Sequence, residues 1–204
     1  LQELDNGRAG RGEGWFWTGQ LQLLGLRLKS CSYLTTTLGL FQKPCTSDYT
    51  ITPDITVSRI PIPDKELNKN ERLINASDTI ANKTPLRETN SSSNKKILHA
   101  SISCKWTMRS DRAQNTRTEA LNIIRGRKGN TPHIVAVTFE PMPTRLASIA
   151  MGTGDVDCTY HGALYELLEA VRETGREDSL ELIETLVEGR RLRDISDLPL
   201  DLAI

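Results

Sequence analysis

Histidine, cysteine and aromatic side chains are scarce in this sequence, and their scarcity argues against several kinds of functional site. The chain has three histidines, four cysteines and only 5% aromatic residues among 204 positions. No two cysteines form a C-x-x-C pair, and a zinc site needs ligands clustered at such short spacings. The sequence therefore predicts free thiols in a reducing compartment. His99, His133 and His161 stand in unrelated sequence neighbourhoods, which favours structural roles for all three.

Long apolar stretches are also missing. No hydrophobic run approaches the roughly 18 residues of a membrane-spanning helix, and residues 1–14 lack the apolar segment of a signal peptide. Hydrophobic residues make up 37% of the chain and charged residues 25%, proportions that are typical of a soluble globular protein. We therefore expect a cytoplasmic protein.

The charges are unevenly distributed, although the formal net charge is zero. Residues 105–128 contain seven lysines and arginines and two acids, which is a net charge of +5. Residues 166–204 contain eleven acids and five arginines, which is a net charge of −6. Zero net charge argues against a simple polybasic nucleic-acid binder, but a basic segment beside an acidic one produces a strong local field.

Hydrophobic periodicity predicts an α/β fold with a mixed central sheet flanked by helices. Strands are indicated where apolar residues alternate with polar ones or form a short buried run, and helices where apolar residues recur at helical spacing. The predicted strands cover residues 48–60, 97–106 and 133–139, and the predicted helices cover residues 111–127, 160–174 and 177–190. Ser110 is the predicted N-cap of the first helix. Residues 61–95 are predicted as a polar connection with one short helix, and residues 141–158 as a turn-rich segment.

A carboxylate on one strand and a lysine on its neighbour would provide the chemistry for hydrolysing a phosphodiester. Alternation along the second strand places Ser101, Ser103 and Lys105 on one face, and Asp54 follows Pro53 on the first strand. Mg²⁺ needs one or two carboxylates in addition to substrate oxygens, and a nearby cation stabilises the charge that develops on the phosphate. Because a Pro-Asp pair is common in proteins of this size, the pattern alone is weak evidence.

A second group of candidate residues, Arg109-Ser110-Asp111-Arg112, opens the basic helix. An arginine fork fits the O6 and N7 atoms of guanine in the major groove, and an aspartate can accept a hydrogen bond from cytosine N4. These residue types therefore suit the reading of adjacent G·C pairs. The residues alone favour a capped helix start that carries solvated charges over a base-reading segment.

Five stretches of the sequence resemble the NgoMIV-like type II restriction endonucleases, a CCGG-reading group of the PD-(D/E)xK nucleases. The stretches are SDYTITPDI at 47–55, LHASISCKWTMRSDRAQN at 98–115, RKGNTPHIVAVT at 127–138, GTGDVDCTYHGALYEL at 152–167 and RLRDISDLPLDLA at 191–203. The resemblance runs from residue 47 to residue 204, about three quarters of the chain. It implies a restriction-endonuclease-like α/β core and a bacterial, cytoplasmic enzyme.

The resemblance also implies an active site. In this group a serine replaces the usual acid two places before the lysine, and Ser103 stands there. The missing carboxylate comes from the following helix, where Glu119 matches it. Asp54 and Glu119 are then the expected Mg²⁺ ligands together with the backbone carbonyl of Cys104, for two ions per site, and Lys105 is the expected charge near the attacking water. The Cys104 thiol is expected to point into the core.

DNA contacts follow from the same resemblance. Arg109, Asp111 and Arg112 match the residues that read the central CCGG, and Arg145 matches a position that contacts the outer base pair. The implied substrate is double-stranded DNA with the palindrome GCCGGC, cleaved by a homodimer or homotetramer. A DNA methyltransferase that protects the host's own sites is the expected functional partner.

Residues 1–46 do not align with the N-terminal region expected for this group, which contributes a further active-site glutamate. We expect this segment to be truncated or frame-disrupted, ahead of a catalytic and DNA-binding domain at 47–204. Two alternatives to an active nuclease therefore remain. One is an inactive remnant that retains at most DNA binding, and the other is a structural or interaction protein, which the acidic C-terminal helices favour.

Overall fold

The fold is a six-stranded mixed sheet with helices packed against it. A computed structural model describes residues 34–38 as backbone, and residues 53–75, 81–88, 96–127, 129–152 and 154–203 in full. The strands are β1 (Leu34–Leu38), β2 (Ile55–Arg59), β3 (Ile97–Lys105), β4 (His133–Thr138), β5 (Cys158–His161) and β6 (Leu192–Asp194). The helices are α1 (Asp64–Leu67), α2 (Ser110–Gly126), α3 (Pro143–Ala150), α4 (Leu164–Glu173), α5 (Glu177–Glu188) and α6 (Leu198–Asp201).

Strand order in the sheet follows the order of the chain, from β1 to β6. The β1–β2 and β2–β3 pairs are antiparallel, and the three remaining pairs are parallel. Ile55 at the start of β2 is paired with Ile102 near the end of β3. Asp54, directly before β2, therefore lies at the same edge as the carboxyl ends of β3 and β4, where ligands bind in open α/β sheets.

Apolar residues of the central strands divide between the two faces of the sheet. Along β4, Val135 and Val137 pack on the α6 side with Ile102, whereas Ile134 and Ala136 pack against α2 and α3. A third cluster joins α3, α4, α5 and β6. Alternation along each strand accounts for this division, because successive side chains point to opposite faces. The prediction of an α/β fold around a mixed sheet is confirmed.

In the described part of the polar connection between β2 and β3, the buried Arg87 joins two segments of the chain. The Nε and Nη2 atoms of Arg87 each lie 2.7 Å from a carboxylate oxygen of Asp64, and Arg87 is 2% exposed. Ile62 is bridged to the same segment, since its backbone N–H donates to the Leu86 carbonyl at 2.7 Å. The short helix predicted within residues 61–95 is present as α1.

Several predicted boundaries were wrong. The turn-rich reading of 141–158 overlooked α3, which begins at Pro143 because proline fits the first helical position. The helix predicted from residue 160 begins at Leu164, and β5 precedes it. The short strands β1 and β6 and the short helix α6 were not predicted. The N-cap of α2 is Arg109, with no side-chain capping bond, rather than Ser110. Residues 48–52 of the first predicted strand lie outside the described part of the chain.

No helix among the described residues is long and apolar enough to cross a membrane.

Candidate active site

Asp54 and Lys105 meet where the antiparallel strands β2 and β3 bring the start of one beside the end of the other. Oδ2 of Asp54 lies 2.6 Å from Nζ of Lys105 and accepts the backbone N–H of Cys104 at 2.7 Å. The Asp54 side chain is 41% exposed and the Lys105 side chain 24% exposed. The pair is therefore fixed by the sheet while remaining open to a substrate.

Glu119 approaches this pair from α2. It is one of four residues that form the buried face of α2, with Ala113, Thr116 and Ala120, whereas the predicted apolar member Leu121 is only partly buried. The pKa of Glu119 is raised to about 7, mainly by burial; the Lys105 ammonium opposes the increase, the Asp54 carboxylate adds to it, and the Ser101 hydroxyl opposes it. The three side chains therefore share one electrostatic environment.

One carboxylate oxygen of Glu119 has no hydrogen-bond partner among the described residues. Oε2 is buried and accepts no hydrogen bond within the described part of the chain, and leaving such an atom unsatisfied costs about 1–3 kcal/mol. A cation beside Asp54 would supply the missing interaction. No group of three or more histidine, cysteine, aspartate and glutamate side chains suited to a metal occurs among the described residues. Two carboxylates are nevertheless enough for Mg²⁺, which retains several waters, so the donor set fits that ion.

Ser103 and Cys104 face opposite sides of β3. The Ser103 hydroxyl is buried and lies 3.2 Å from the Thr116 hydroxyl of α2, so it joins the strand to the helix that carries Glu119. The Cys104 thiol packs against the aliphatic cluster on the other face, and burial raises the pKa of the thiol above its usual range. The expectation that this thiol points into the core is confirmed.

The Arg109–Arg112 segment lies exposed at the start of α2. Arg109 is the N-cap, and Asp111 falls in the first turn, where its negative charge is favourable. Nη1 of Arg112 lies 3.1 Å from Oγ1 of Thr107, which restrains the guanidinium before any ligand binds. Only three residues lie between Lys105 and Arg109, the first of the candidate base-reading residues, so the two sites are close together along the chain.

Arg145 belongs to α3 and lies beside a glutamate that sequence reasoning missed. Nη1 of Arg145 is 3.5 Å from Oε1 of Glu140, and the Glu140 side chain is fully buried. Glu140 also accepts the backbone N–H of Met108 at 2.7 Å and that of Met142 at 3.1 Å. A signal was present in the sequence, since Glu140 directly follows a buried strand at the edge that carries Lys105.

Two stacked aromatic rings lie at the edge of the sheet that carries Lys105. The rings of Trp106 and Phe139 are stacked with centroids 4.7 Å apart, and the Phe139 N–H donates to the Trp106 carbonyl at 3.1 Å. A Cβ atom on Gly162 would lie 1.8 Å from the Phe139 ring, so only glycine allows the ring to occupy this position.

Two of the three histidines make structural contacts with the backbone. Nε2 of His99 lies 2.8 Å from the Leu202 carbonyl, and Nε2 of His161 lies 3.2 Å from the Glu140 carbonyl. Burial lowers the pKa of both. The histidines are not all isolated, however, because the His99 and His133 rings meet edge to face at 5.1 Å; parallel pairing of β3 with β4 brings them together.

Cys104 and Cys158 are free thiols, as predicted. Cys31 and Cys45 lie outside the described residues. Within the segment predicted to be turn-rich, residues 152, 154 and 155 are bends, outside any helix or strand.

This mixed sheet, with Asp54 and Lys105 at one edge and Glu119 from the adjoining helix, defines a restriction-endonuclease-like domain. The family model of the NgoMIV restriction enzyme matches residues 30–204, and the chain belongs to that family. The match begins 17 residues before residue 47, so part of the segment that we expected not to align is included in it.

The chain is similar to the type II restriction enzyme NgoMIV of Neisseria gonorrhoeae, with 58% identity over 158 residues. That alignment covers 78% of this chain and 54% of the relative, so the chain spans about half of the relative's length.

Proposed function

We propose that this protein is a type II restriction endonuclease that hydrolyses double-stranded DNA at the palindrome GCCGGC with Mg²⁺. The observation that carries the proposal is the Asp54 carboxylate, which lies 2.6 Å from Lys105 Nζ, beside a buried Glu119 whose Oε2 has no hydrogen-bond partner in the described part of the chain. Two carboxylates and one lysine at an open sheet edge suit metal-assisted attack on a phosphodiester.

Each residue of the site has a distinct part in the proposed reaction. Asp54, Glu119 and the Cys104 carbonyl would hold Mg²⁺, for two ions per site. The metal supplies Lewis acidity and lowers the pKa of a bound water when it is present. Lys105 directs a positive charge toward the reacting phosphate, where negative charge develops. Ser103 positions α2, and therefore Glu119, through its hydroxyl contact with Thr116 at 3.2 Å.

Sequence recognition is assigned to the starts of two helices. Arg109, Asp111 and Arg112 of α2 are exposed and carry the groups that pair with guanine O6 and N7 and with cytosine N4. We assign the inner CCGG to them and the outer base pair to Arg145 of α3. A palindrome calls for two-fold symmetry, so we propose a cytoplasmic homodimer or homotetramer. A cognate DNA methyltransferase would protect host DNA.

A plasmid digestion tests this proposal directly. The purified 204-residue chain is incubated with a plasmid carrying two GCCGGC sites, with and without Mg²⁺. Asp54→Ala and a matched control, Glu169→Ala on the exposed side of α4, are treated identically. We expect discrete fragments only with Mg²⁺, from the native chain and from the control variant. Cleavage that survives Asp54→Ala, or fragments that do not map to GCCGGC, would overturn the assignment.

A protein that binds DNA without cleaving it is the second candidate, because Arg109, Asp111 and Arg112 are exposed at the start of α2 and are not part of the Asp54–Lys105 pair. Such a protein would recognise the site without hydrolysing it. A gel-shift titration with a GCCGGC duplex distinguishes the two. Specific binding in Ca²⁺ or EDTA without any Mg²⁺-dependent cleavage would identify the second candidate.

A further inference from the structure

Glu140 is a fully buried carboxylate that joins the starts of α2 and α3. It follows β4, and its own N–H donates to the Thr138 hydroxyl at 3.1 Å. Oε2 accepts the N–H of Met108, directly before the N-cap of α2. Oε1 accepts the N–H of Met142, the N-cap of α3. One side chain therefore fixes both helix starts to the same strand.

The hydrogen-bond donors around Glu140 suit a carboxylate better than the amide of a glutamine. Both oxygens act only as acceptors, because every partner is an N–H donor: Met108, Met142 and, at 3.5 Å, Arg145. Hydrogen bonds from backbone N–H groups to a charged acceptor are about twice as strong as neutral ones. A glutamine would offer one acceptor oxygen and place an NH₂ group against a second donor.

The segment that Glu140 holds leads directly into the candidate base-reading residues. Met108 is 1% exposed and precedes Arg109, and Trp106 is bonded to β4 through the Phe139 N–H. Arg145 lies in the first turn of α3 and extends from the surface with its side chain 49% exposed. A small displacement of either helix start would misalign guanidinium groups that must meet base edges within hydrogen-bond distance.

We propose that Glu140 is a positioning residue for DNA sequence discrimination. It sets the α2 residues that read the inner base pairs relative to Arg145, which reads the outer pair. This inference rests on the proposed function. It adds that recognition of the inner and outer pairs depends on one buried carboxylate that itself contacts no base.

The test measures how well each variant discriminates between DNA sequences, in addition to its cleavage activity. Single-turnover cleavage and duplex affinity are measured on GCCGGC, on ACCGGT with both outer pairs changed, and on GCATGC with the two central pairs changed. For Glu140→Gln we expect the preference for GCCGGC to fall about tenfold against both altered sites, the effect of losing one hydrogen bond to a charged group. Arg145→Ala should lose preference only against ACCGGT.

Asp194→Asn is the matched control. Asp194 is another buried carboxylate that accepts backbone N–H groups, those of Ser196 at 2.9 Å and Leu164 at 3.4 Å. Its partners belong to neither recognition segment, so Asp194→Asn should reduce stability and leave the preference unchanged. Thermal unfolding of each variant is recorded, and all assays are run well below the lowest midpoint.

A second variant covers the case in which Glu140→Gln does not fold. Thr138→Val keeps the carboxylate but removes the hydroxyl that accepts the Glu140 N–H and donates to the Trp106 carbonyl. It should reduce the preference in the same direction as Glu140→Gln. A preference within twofold of the native value in the folded variants, or an equal loss in Asp194→Asn, would overturn the role of Glu140. If the native chain itself has no preference for GCCGGC, the proposed function fails, and this inference fails with it.

Discussion

The Nζ atom of Lys105 lies 2.6 Å from Oδ2 of Asp54, the oxygen that also accepts the Cys104 N–H at 2.7 Å. The two residues are 51 positions apart in the sequence, and antiparallel pairing of β2 with β3 brings them together. The strand that supplies the lysine thus also orients the carboxylate. An exposed ion pair contributes little to stability, so its placement matters for chemistry more than for folding.

Lys105→Ala should abolish most cleavage while leaving DNA binding nearly intact. Loss of a positioned cation beside the reacting phosphate is expected to slow the chemical step at least about 100-fold, because the charge that develops there is no longer compensated. Single-turnover cleavage and gel-shift affinity measure the two properties separately. Lys65→Ala, an exposed lysine of α1, is the control and should behave as the native chain. Cleavage by Lys105→Ala within tenfold of the native rate would refute the assigned role.

Mg²⁺ affinity should increase with pH until about pH 7. Since burial raises the pKa of Glu119 to about 7, the carboxyl group is mostly protonated below that pH and must lose its proton to bind a metal. The apparent dissociation constant should fall about tenfold for each pH unit below pH 7 and level off above it. Calorimetric titration in buffers of different ionisation enthalpy would detect the released proton. A Glu119→Gln variant with the same pH dependence would contradict this origin.

Glu119→Gln should stabilise the metal-free protein at high pH. The folded pKa of Glu119 is raised from 4.5 to about 7, so between these values the folded state holds more protons than the unfolded state. Stability consequently falls as pH rises through this window, by up to about 3 kcal/mol above pH 7. Urea unfolding without metal should show the variant to be more stable at pH 8, with the advantage gone below pH 4.5. Equal stability at pH 8 would be the contrary result.

Gly162→Ala should destabilise the fold at the edge that carries the site. The added Cβ would lie 1.8–2.4 Å from three atoms of the Phe139 ring, and crowding in a packed region costs about 1–3 kcal/mol. Because the conflict is with one side chain, Gly162→Ala combined with Phe139→Leu should recover part of the loss in the unfolding midpoint. As a control, Gly126→Ala introduces a Cβ with nothing within 4 Å. A double variant no more stable than Gly162→Ala would show that the backbone, rather than the Phe139 ring, requires glycine at position 162.

The short strands and helices show why hydrophobic periodicity did not predict every element of the fold. Strand β5 has four residues and β6 has three. In segments this short, the alternation typical of a strand cannot be distinguished from the spacing typical of a helix. They are strands because they pair with β4 and with each other in parallel. Pro141 and Pro143 suggested turns, but helix α3 begins at Pro143, and its buried Leu146 and Ile149 pack against neighbouring elements and stabilise it.

The sequence by itself determined the α/β class, the order of its longer strands and helices, and the identity of the candidate Asp54, Lys105 and Glu119. The fold class rests on local periodicity and the Asp54–Lys105 pair on a weak local pattern, whereas Glu119 was implied by the resemblance to the NgoMIV-like nucleases. Only the tertiary structure decided that Glu140 joins two helix starts, that Ser103 contacts Thr116, and that Oε2 of Glu119 is buried with no partner among the residues the structure describes. These relationships depend on strand register and helix packing between residues distant in the chain, and local residue patterns do not encode such distances.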